Sequence, residues 1–247
     1  DSADTVGYKS NGKKLGSFSD ITTNSMYASH IITGAGFGGM LCFNDYKLYL
    51  RAKLLRGWGR SSATFNESEG IKLRFNTKVD GVPYDGKYIF SALGYNFLPS
   101  EISAAFALEQ LKNLNQNIKI RINNFKYLKN FFSKHNNFFE LPNENKFTRT
   151  GWLAYPLILK DKIPFDRKNL QIYLEKQGIQ TRTIFTGNIL RQPIMKGLIY
   201  KKHRLAEINA NKIMKNGILL GCHHGLRKDH LEYMILKIDN FLRRFTN

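Results

Sequence analysis

The sequence predicts an α/β fold, in which an open sheet is followed by a compact α+β unit. Residues 1–60 mix short apolar runs with glycine turns, a pattern typical of an open α/β sheet whose loops carry a site. Beyond residue 150, apolar segments of strand length alternate with amphipathic segments of helical period. The 247-residue chain is 42% hydrophobic and 13% aromatic, so it can bury a core and is expected to be globular.

A long helical segment is predicted in the middle of the chain. Pro99-Ser100-Glu101 marks its start, with Ser100 as the N-cap and Glu101 in the first turn, where a negative charge is favourable. Apolar residues then recur at helical spacing, namely Ile102, Ala105, Phe106, Leu108, Leu111, Leu114, Ile118, Ile122, Phe125 and Leu128. We expect a helical segment of this length to bridge two domains.

The C-terminal half has the pattern of an α+β unit. Trp152–Leu159 predicts a buried strand, and Asp166–Gln177 predicts a helix that ends with Gly178 at its C′ position. Two more strands are predicted at Ile179–Phe185 and Ile218–Leu220. A terminal amphipathic helix has an apolar face made of Leu231, Met234, Ile235, Ile238 and Phe241.

The formal net charge of +19 could indicate a polyanionic partner, because basic surfaces attract nucleic acid, anionic membranes and phosphorylated small molecules. Lys and Arg are spread along the chain, however, and Asn, Ile and Lys are abundant together. This distribution favours compositional drift over a basic binding face, so nucleic acid is not an expected partner.

Two further features bear on the compartment. Cys42 and Cys222 are too few for a disulfide framework, and no apolar run approaches the roughly 20 residues that span a bilayer. We therefore expect a cytoplasmic protein without a membrane partner. Because the sequence enters at Asp1 directly on a motif, we also expect this chain to be part of a longer protein.

The segment Ser25–His30 and the glycines after it form the first candidate site. Backbone N–H groups of such a turn, together with the Ser25 and Ser29 hydroxyls, could hold a phosphate, and glycines permit close approach. His30 would then lie beside the ligand, where an imidazole could transfer a proton near neutral pH. The alternative is a histidine that only satisfies carbonyls of its own loop.

Three other patterns are weaker. A carboxylate such as Asp1 could pair with the protonated ring nitrogen of a cofactor, or it could be an ordinary solvated residue. His223-His224 does not predict a metal site, because adjacent side chains on a strand point to opposite faces and no Cys-x-x-Cys or His-x-x-x-His partner exists. The glycines at 34, 36, 38 and 39 lack the helix and acidic partner of a dinucleotide-binding motif.

Several ordered motifs together resemble the DegT/DnrJ/StrS family of sugar aminotransferases, over essentially the whole chain. They are Asp1-Ser2-Ala3-Asp4, Gly12-Lys13, Gly16-Ser17-Phe18-Ser19-Asp20-Ile21, Ser25-Met26-Tyr27-Ala28-Ser29-His30, Gly38-Gly39-Met40, Gly94-Tyr95-Asn96, Glu101-Ile102-Ser103-Ala104-Ala105 and Gly187-Asn188-Ile189-Leu190-Arg191-Gln192-Pro193. The resemblance implies pyridoxal 5′-phosphate (PLP) or pyridoxamine 5′-phosphate (PMP) as cofactor, nucleotide-linked keto-sugars as substrates, and the fold of aspartate aminotransferase (fold type I).

The resemblance also implies roles for single residues. The carboxylate that contacts the pyridinium nitrogen falls on Asp1, and Asp4 is a cofactor-binding candidate in the same motif. Ser25 corresponds to a phosphate-binding serine. Asn96 corresponds to a phosphate-contacting asparagine donated by the neighbouring subunit, so a homodimer is implied.

The remaining motif and the domain division follow from the same resemblance. Asn188 and Arg191 are substrate-binding candidates. Residues 1–110 correspond to the C-terminal part of the PLP-binding large domain, and residues 111–247 to an interdomain helix and a small α+β domain. The family's N-terminal portion has no counterpart, so the large domain is expected to be incomplete.

The family's Schiff-base lysine falls on His30. Histidine at this position marks the branch of the GDP-4-keto-6-deoxymannose 3-dehydratases, in which the C3 hydroxyl of the sugar is eliminated and a base moves a proton. The resemblance therefore implies a catalytic His30, a non-covalently bound cofactor and a role in deoxysugar or surface-polysaccharide biosynthesis. Two cysteines cannot supply the four thiolates of the iron–sulfur cluster found in a related branch, so no cluster is expected.

Two alternatives stay open at this point. One is a sugar aminotransferase of the same family that takes its amino group from glutamate. The other is an inactive, truncated remnant or basic binding module.

Overall fold

The computed structural model describes residues 1–65, 70–201 and 204–246. They form two compact units, unit 1 (Asp1–Asn113) and unit 2 (Leu114–Asn247). Among the described residues, no helix combines the length and the apolar character needed to cross a membrane.

Unit 1 is built from short strands and three helices in its described part. Its elements are β1 (Lys9–Ser10), β2 (Lys13–Lys14), β3 (Ile21–Ser25), β4 (Gly39–Phe43), α1 (Tyr46–Arg56), α2 (Ile71–Phe75), β5 (Thr77–Val79), β6 (Val82–Tyr84) and α3 (Glu101–Lys112). β1 pairs with β2, β3 with β4 and β5 with β6, each pair antiparallel. The open sheet predicted for residues 1–60 is thus represented by antiparallel hairpins.

The hairpin β3–β4 positions the candidate site. Its register runs from Ile21 opposite Phe43 to Ser25 opposite Gly39. Asp45 caps α1 directly after β4, because its side chain accepts the backbone N–H groups of Lys47 and Leu48. Residues 26–38 form the connection between the two strands.

The predicted long helix is two helices. α3 ends at Lys112, and α4 (Leu114–Phe132) begins after Asn113, which also separates the two units. Asn favours such boundaries because its side chain competes with helical hydrogen bonds. Ser100 has the extended backbone of an N-cap, but its side chain makes no capping hydrogen bond.

Unit 2 contains an antiparallel sheet covered by helices. Its elements after α4 are β7 (Phe139–Glu140), β8 (Thr148–Arg149), β9 (Ala154–Leu159), α5 (Arg167–Lys176), β10 (Thr181–Arg182), α6 (Arg204–Asn216), β11 (Gly217–Gly221) and α7 (Lys228–Leu242). The four-stranded sheet has the order β10-β11-β9-β7. Tyr155, Leu157 and Leu159 alternate along β9 and are buried, so one face of the sheet carries the core.

Helices α4, α5 and α7 complete this core. Phe125, Leu128 and Phe132 of α4 are each 0% exposed. Leu170 and Leu174 of α5 are also buried, and α7 contributes Leu231, Met234, Ile238, Phe241 and Leu242. The apolar positions that predicted α7 are therefore core positions, except for Ile235, which packs against the core while only partly buried.

Strand bounds in unit 2 differ from the predictions. The strand predicted at 179–185 is limited to Thr181–Arg182, and Phe185 has a positive φ of 44° that ends extended pairing. The strand predicted from Trp152 begins at Ala154, because Trp152 also has a positive φ of 44°. Gly178 has a φ of 74°, as predicted for the C′ position of α5.

Candidate active site

The connection between β3 and β4 carries His30. Two backbone hydrogen bonds close it at its base, from Met26 N–H to Gly38 O (2.9 Å) and from Gly34 N–H to Met26 O (2.8 Å). Ile31 and Ile32 follow the histidine and are 1% and 5% exposed. These two side chains anchor the loop in unit 1, so His30 sits on a fixed segment.

Gly34 allows the loop to pack closely against itself and against α3. A Cβ atom at this position would lie 2.1 Å from the carbonyl oxygen of Phe37 and 3.3 Å from that of Ser103. Next to it, the N–H group of Thr33 donates to the side-chain oxygen of Gln110 (3.2 Å). Helix α3 therefore supports the loop that presents His30.

The His30 side chain is paired with Asp4. Nδ1 of the imidazole is hydrogen-bonded to the Asp4 carboxylate, and the two side chains are 17% and 25% exposed. A carboxylate only accepts, so the imidazole donates from Nδ1, and the lone pair of the neutral ring lies on Nε2. Asp4 thus fixes both the ring orientation and the nitrogen that can accept a proton.

Ser25 is the last residue of β3, and Asp1 lies beside that strand. One carboxylate oxygen of Asp1 accepts from the N–H group of Ala3 (3.0 Å) and from the hydroxyl of Thr23 (3.4 Å). Thr23 and Ser25 are two residues apart on the strand and point to the same face. The Ser25 hydroxyl oxygen accepts from the N–H group of Tyr27 (3.2 Å), which leaves its own hydrogen available for an anion.

Asn96 lies in another part of unit 1. Its neighbours Tyr95 and Phe97 donate their N–H groups to the carbonyls of Leu55 (2.7 Å) and Arg56 (3.0 Å). The Asn96 side chain is exposed, and within the described residues it makes no hydrogen bond to Asp1, Ser25 or His30. Asn96 is therefore open to a partner, and its contact with a phosphate in a neighbouring subunit stays a prediction.

A turn at residues 57–60 fixes this segment, and sequence reasoning missed it. Trp58 has a positive φ of 61°, which is unusual for a bulky residue. Gly59 packs so tightly that a Cβ there would lie 1.8 Å from the carbonyl oxygen of Ala92. The Arg60 guanidinium lies over three rings, at 4.7 Å from Trp58, 5.5 Å from Tyr88 and 5.3 Å from Phe90. The glycines flanking Trp58 were the available signal.

The substrate-binding candidates in unit 2 have structural contacts. Asn188 is 3% exposed, donates to the side-chain oxygen of Asn211 (2.8 Å) and accepts from the N–H group of Leu190 (3.0 Å). Arg191 is exposed. These contacts show Asn188 stabilising its own turn, and substrate binding by either residue stays a prediction.

His223 and His224 belong to a polar cluster around a buried arginine. Arg121 is 2% exposed and donates to Nδ1 of His224 (3.2 Å) and to the carbonyls of Trp152 (3.1 Å) and Leu153 (3.3 Å). Nδ1 of His223 accepts from the N–H group of Gly225 (3.2 Å). Both imidazoles accept hydrogen bonds and so are held neutral, which gives them a structural role.

The cysteines lie in different units. Cys42 is exposed on β4, whereas Cys222 is buried in unit 2, where burial raises the pKa of its thiol to about 12.

In the part of the chain that the structure describes, no group of three or more His, Cys, Asp or Glu residues is placed to hold a metal ion.

Acidification should weaken unit 2. Burial lowers the pKa of His224, and the nearby Arg121 and His223 lower it further. The unfolded chain therefore binds more protons than the folded one just below a pH of about 6.5, and stability falls as the pH decreases through this range. We expect the urea midpoint of unit 2 to fall between about pH 7.5 and pH 5.5.

A His224→Asn variant serves as the control for this prediction. Asn keeps an acceptor that Arg121 can reach and has no titratable group. Its urea midpoint should depend less on pH over the same range. An equal dependence in both proteins would contradict the assignment to His224.

Comparison with known proteins places the chain in a family. The sequence model of the DegT/DnrJ/EryC1/StrS aminotransferase family matches residues 1–239. The lipopolysaccharide biosynthesis protein RfbH of Salmonella typhimurium is 32% identical over 245 residues, which are 98% of this chain and 55% of that protein. The GDP-4-keto-6-deoxy-D-mannose 3-dehydratase of Yersinia pseudotuberculosis is 32% identical over 227 residues, 90% of this chain and 54% of that protein.

The same fold occurs in solved structures. The E. coli GDP-4-keto-6-deoxy-D-mannose 3-dehydratase with bound hydrated PLP matches with a TM-score of 0.75 and 30% sequence identity. The match covers 94% of this chain and 57% of the dehydratase chain. These matches confirm the family resemblance and the fold class predicted from the sequence. The chain spans about half the length of the curated relatives it matches.

Proposed function

The chain belongs to the DegT/DnrJ/EryC1/StrS aminotransferase family, whose members are PLP-dependent enzymes that modify sugars, and we propose that it forms part of a nucleotide-sugar 3-dehydratase. The observation that carries this proposal is His30, presented on a fixed loop with its Nδ1 held by Asp4. Such a histidine can transfer protons and cannot bond covalently to the cofactor as a lysine does.

The residues along β3 fit a pyridoxal cofactor. The Asp1 carboxylate is exposed and can accept a hydrogen bond from a pyridinium nitrogen, and the Ser25 hydroxyl retains a hydrogen for a phosphate oxygen. When bound in its amine form, the cofactor supplies an amino group for the sugar ketone and an electron-withdrawing ring. In the homodimer that we propose, Asn96 contacts the phosphate bound by the partner subunit.

His30 acts as the base of this reaction. Its Nε2 accepts a proton, and the resulting imidazolium is stabilised by the Asp4 carboxylate at Nδ1. The same nitrogen can then give the proton to the hydroxyl that leaves C3 of the sugar. Asp4, for which sequence reasoning predicted a cofactor contact, thus serves as a positioning residue for His30.

Two measurements test the proposal. Titration of the full-length protein that contains this chain with PMP and separately with PLP, followed by absorbance and thermal stability, should show saturable binding that borohydride does not render covalent. Incubation with a nucleotide-linked 4-keto-6-deoxy sugar and glutamate should then release ammonia and a 3-deoxy sugar. An amino sugar as product would overturn dehydration in favour of amino transfer.

Asp4→Asn should lower kcat for dehydration while leaving PMP affinity unchanged. The amide removes the charge that stabilises the imidazolium but still fills the same space. The loss should be smaller than the roughly 10²–10⁴-fold effect of losing the base itself. A loss of PMP binding in this variant would instead indicate that Asp4 contacts the cofactor.

A further inference from the structure

One side of helix α3 holds the His30 loop, which comprises residues 26–38. The carbonyl of Ser103 lies against Gly34, and the side chain of Gln110 is hydrogen-bonded to Thr33. Ala107 lies between these two contacts along the helix and is buried. Residues 103, 107 and 110 are four and three positions apart, so they share one side of the helix. Gln110 is the long polar side chain of this side.

Gln110 binds the loop at a backbone group. Its side-chain oxygen accepts from the N–H group of Thr33 (3.2 Å), three residues after His30. Both residues are half-buried, and a donor that loses its acceptor in such a place costs free energy. The Thr33 hydroxyl in turn accepts from the N–H group of Gly36 (3.1 Å). Gln110 is thereby connected through Thr33 to the turn that follows the histidine.

The apolar anchors of the loop cannot replace this hydrogen bond. Ile31 and Ile32 are buried directly after the histidine, but apolar burial is not directional. It holds the segment in unit 1 without fixing how the segment is rotated. A hydrogen bond weakens steeply when donor and acceptor are misaligned, so it does fix the rotation.

The imidazole depends on that rotation at both ring nitrogens. Nδ1 of His30 must meet the Asp4 carboxylate, which belongs to a distant segment of the chain. Nε2 lies on the opposite edge of the same rigid ring, so any rotation that breaks the contact with Asp4 also turns the lone pair of Nε2. The contact at Thr33 thus bears on both the orientation and the tautomer of His30.

We propose that Gln110 is a positioning residue for His30, because its hydrogen bond to Thr33 sets the direction of Nε2. The expected effect on turnover rests on the proposed function, whereas the effect on the His30–Asp4 pair does not. Gln110 itself touches neither Asp4 nor His30, and acts through the loop backbone.

Steady-state kinetics of the full-length protein that contains this chain provide the first test. Gln110→Leu should lower kcat by about 10–10²-fold, the cost of a misplacement of about 1 Å. PMP affinity and KM for the sugar nucleotide should change little. Gln110→Glu keeps an oxygen that accepts from Thr33 and should retain most of the activity. Glu109→Leu makes the same kind of change at an exposed neighbour and serves as the control.

Nitrogen-15 NMR of the histidine rings in the same protein, without substrate, measures the pair itself. The chemical shift distinguishes a ring nitrogen that carries a hydrogen from one with a lone pair, and His30→Asn identifies the signal. Above about pH 8, where imidazoles are normally neutral, the wild type should carry the hydrogen on Nδ1. Gln110→Leu should give a mixture of tautomers, and Gln110→Glu should restore the single form.

Three outcomes would overturn the proposal. The first is an unchanged kcat in Gln110→Leu when the wild type is active. The second is a loss of kcat with the single tautomer intact, because the orientation of His30 would then be preserved. The third is an equal loss in Gln110→Leu and Glu109→Leu. An inactive wild type whose tautomer responds as expected would contradict the proposed function and support the positioning role.

Discussion

Replacing His30 by asparagine should lower kcat for sugar dehydration by about 10²–10⁴-fold, the usual contribution of a general base. Asn retains a side chain that can hydrogen-bond to Asp4 but cannot accept the proton. PMP affinity should change little, because the proposed cofactor contacts of Asp1 and Ser25 remain. The measurement is steady-state kinetics with PMP titration in the full-length protein that contains this chain. His135→Asn, which removes a histidine of unit 2, should retain activity.

His30→Lys gives a complementary result. A lysine at this position offers the amine that histidine lacks, so PLP should become covalently bound and borohydride should fix it to the protein. Mass spectrometry of the reduced protein would locate the adduct. If PLP binds without forming an adduct, the position does not face the reactive carbon of the cofactor.

Phe132→Ala should destabilise unit 2 by about 3–5 kcal/mol, the typical cost of removing a buried aromatic ring. Phe132 is 0% exposed, and its ring lies 5.3 Å from that of Tyr155 in a stacked arrangement and 5.3 Å from that of Phe139 edge to face. Neither neighbouring side chain can fill the space without leaving its own contacts. Urea unfolding followed by far-UV circular dichroism measures the effect.

Phe147→Ala is the matched control, because Phe147 is 59% exposed in the same unit. Its cost should stay within about 0.5 kcal/mol, as for most surface substitutions. Similar losses in both variants would mean that Phe132 is not part of a tightly packed core.

In unit 2, the ends of a helix were predicted well where a single capping residue determines them. Asp166 caps α5 by accepting from the N–H group of Asn169 (2.7 Å), and Gly178 supplies the left-handed backbone at its end. Those two residues bracket the helix to within a residue. The strand predicted at 179–185 was wrong over most of its length, because β propensity carries no information about where a pairing partner ends.

In the candidate site too, local sequence motifs were predicted, and contacts between distant residues were not. His30 was predicted as a site residue from a local motif, whereas its pairing with Asp4 joins residues 26 positions apart and depends on how the chain folds. The break at Asn113 was missed because the apolar pattern continues through it, although its two sides serve different units. Periodicity reports which residues are apolar, and only the fold decides what they pack against.

The two tryptophans of the chain are divided between the units, and this gives each unit its own spectroscopic reporter. Trp152 is partly buried against the core of unit 2 and stacks on Phe125 with ring centroids 3.9 Å apart, whereas Trp58 is 37% exposed beneath the Arg60 guanidinium. Emission from an apolar contact lies at shorter wavelength than emission from a hydrated ring. Trp58→Phe and Trp152→Phe therefore yield proteins whose intrinsic fluorescence follows one unit at a time, without any external label.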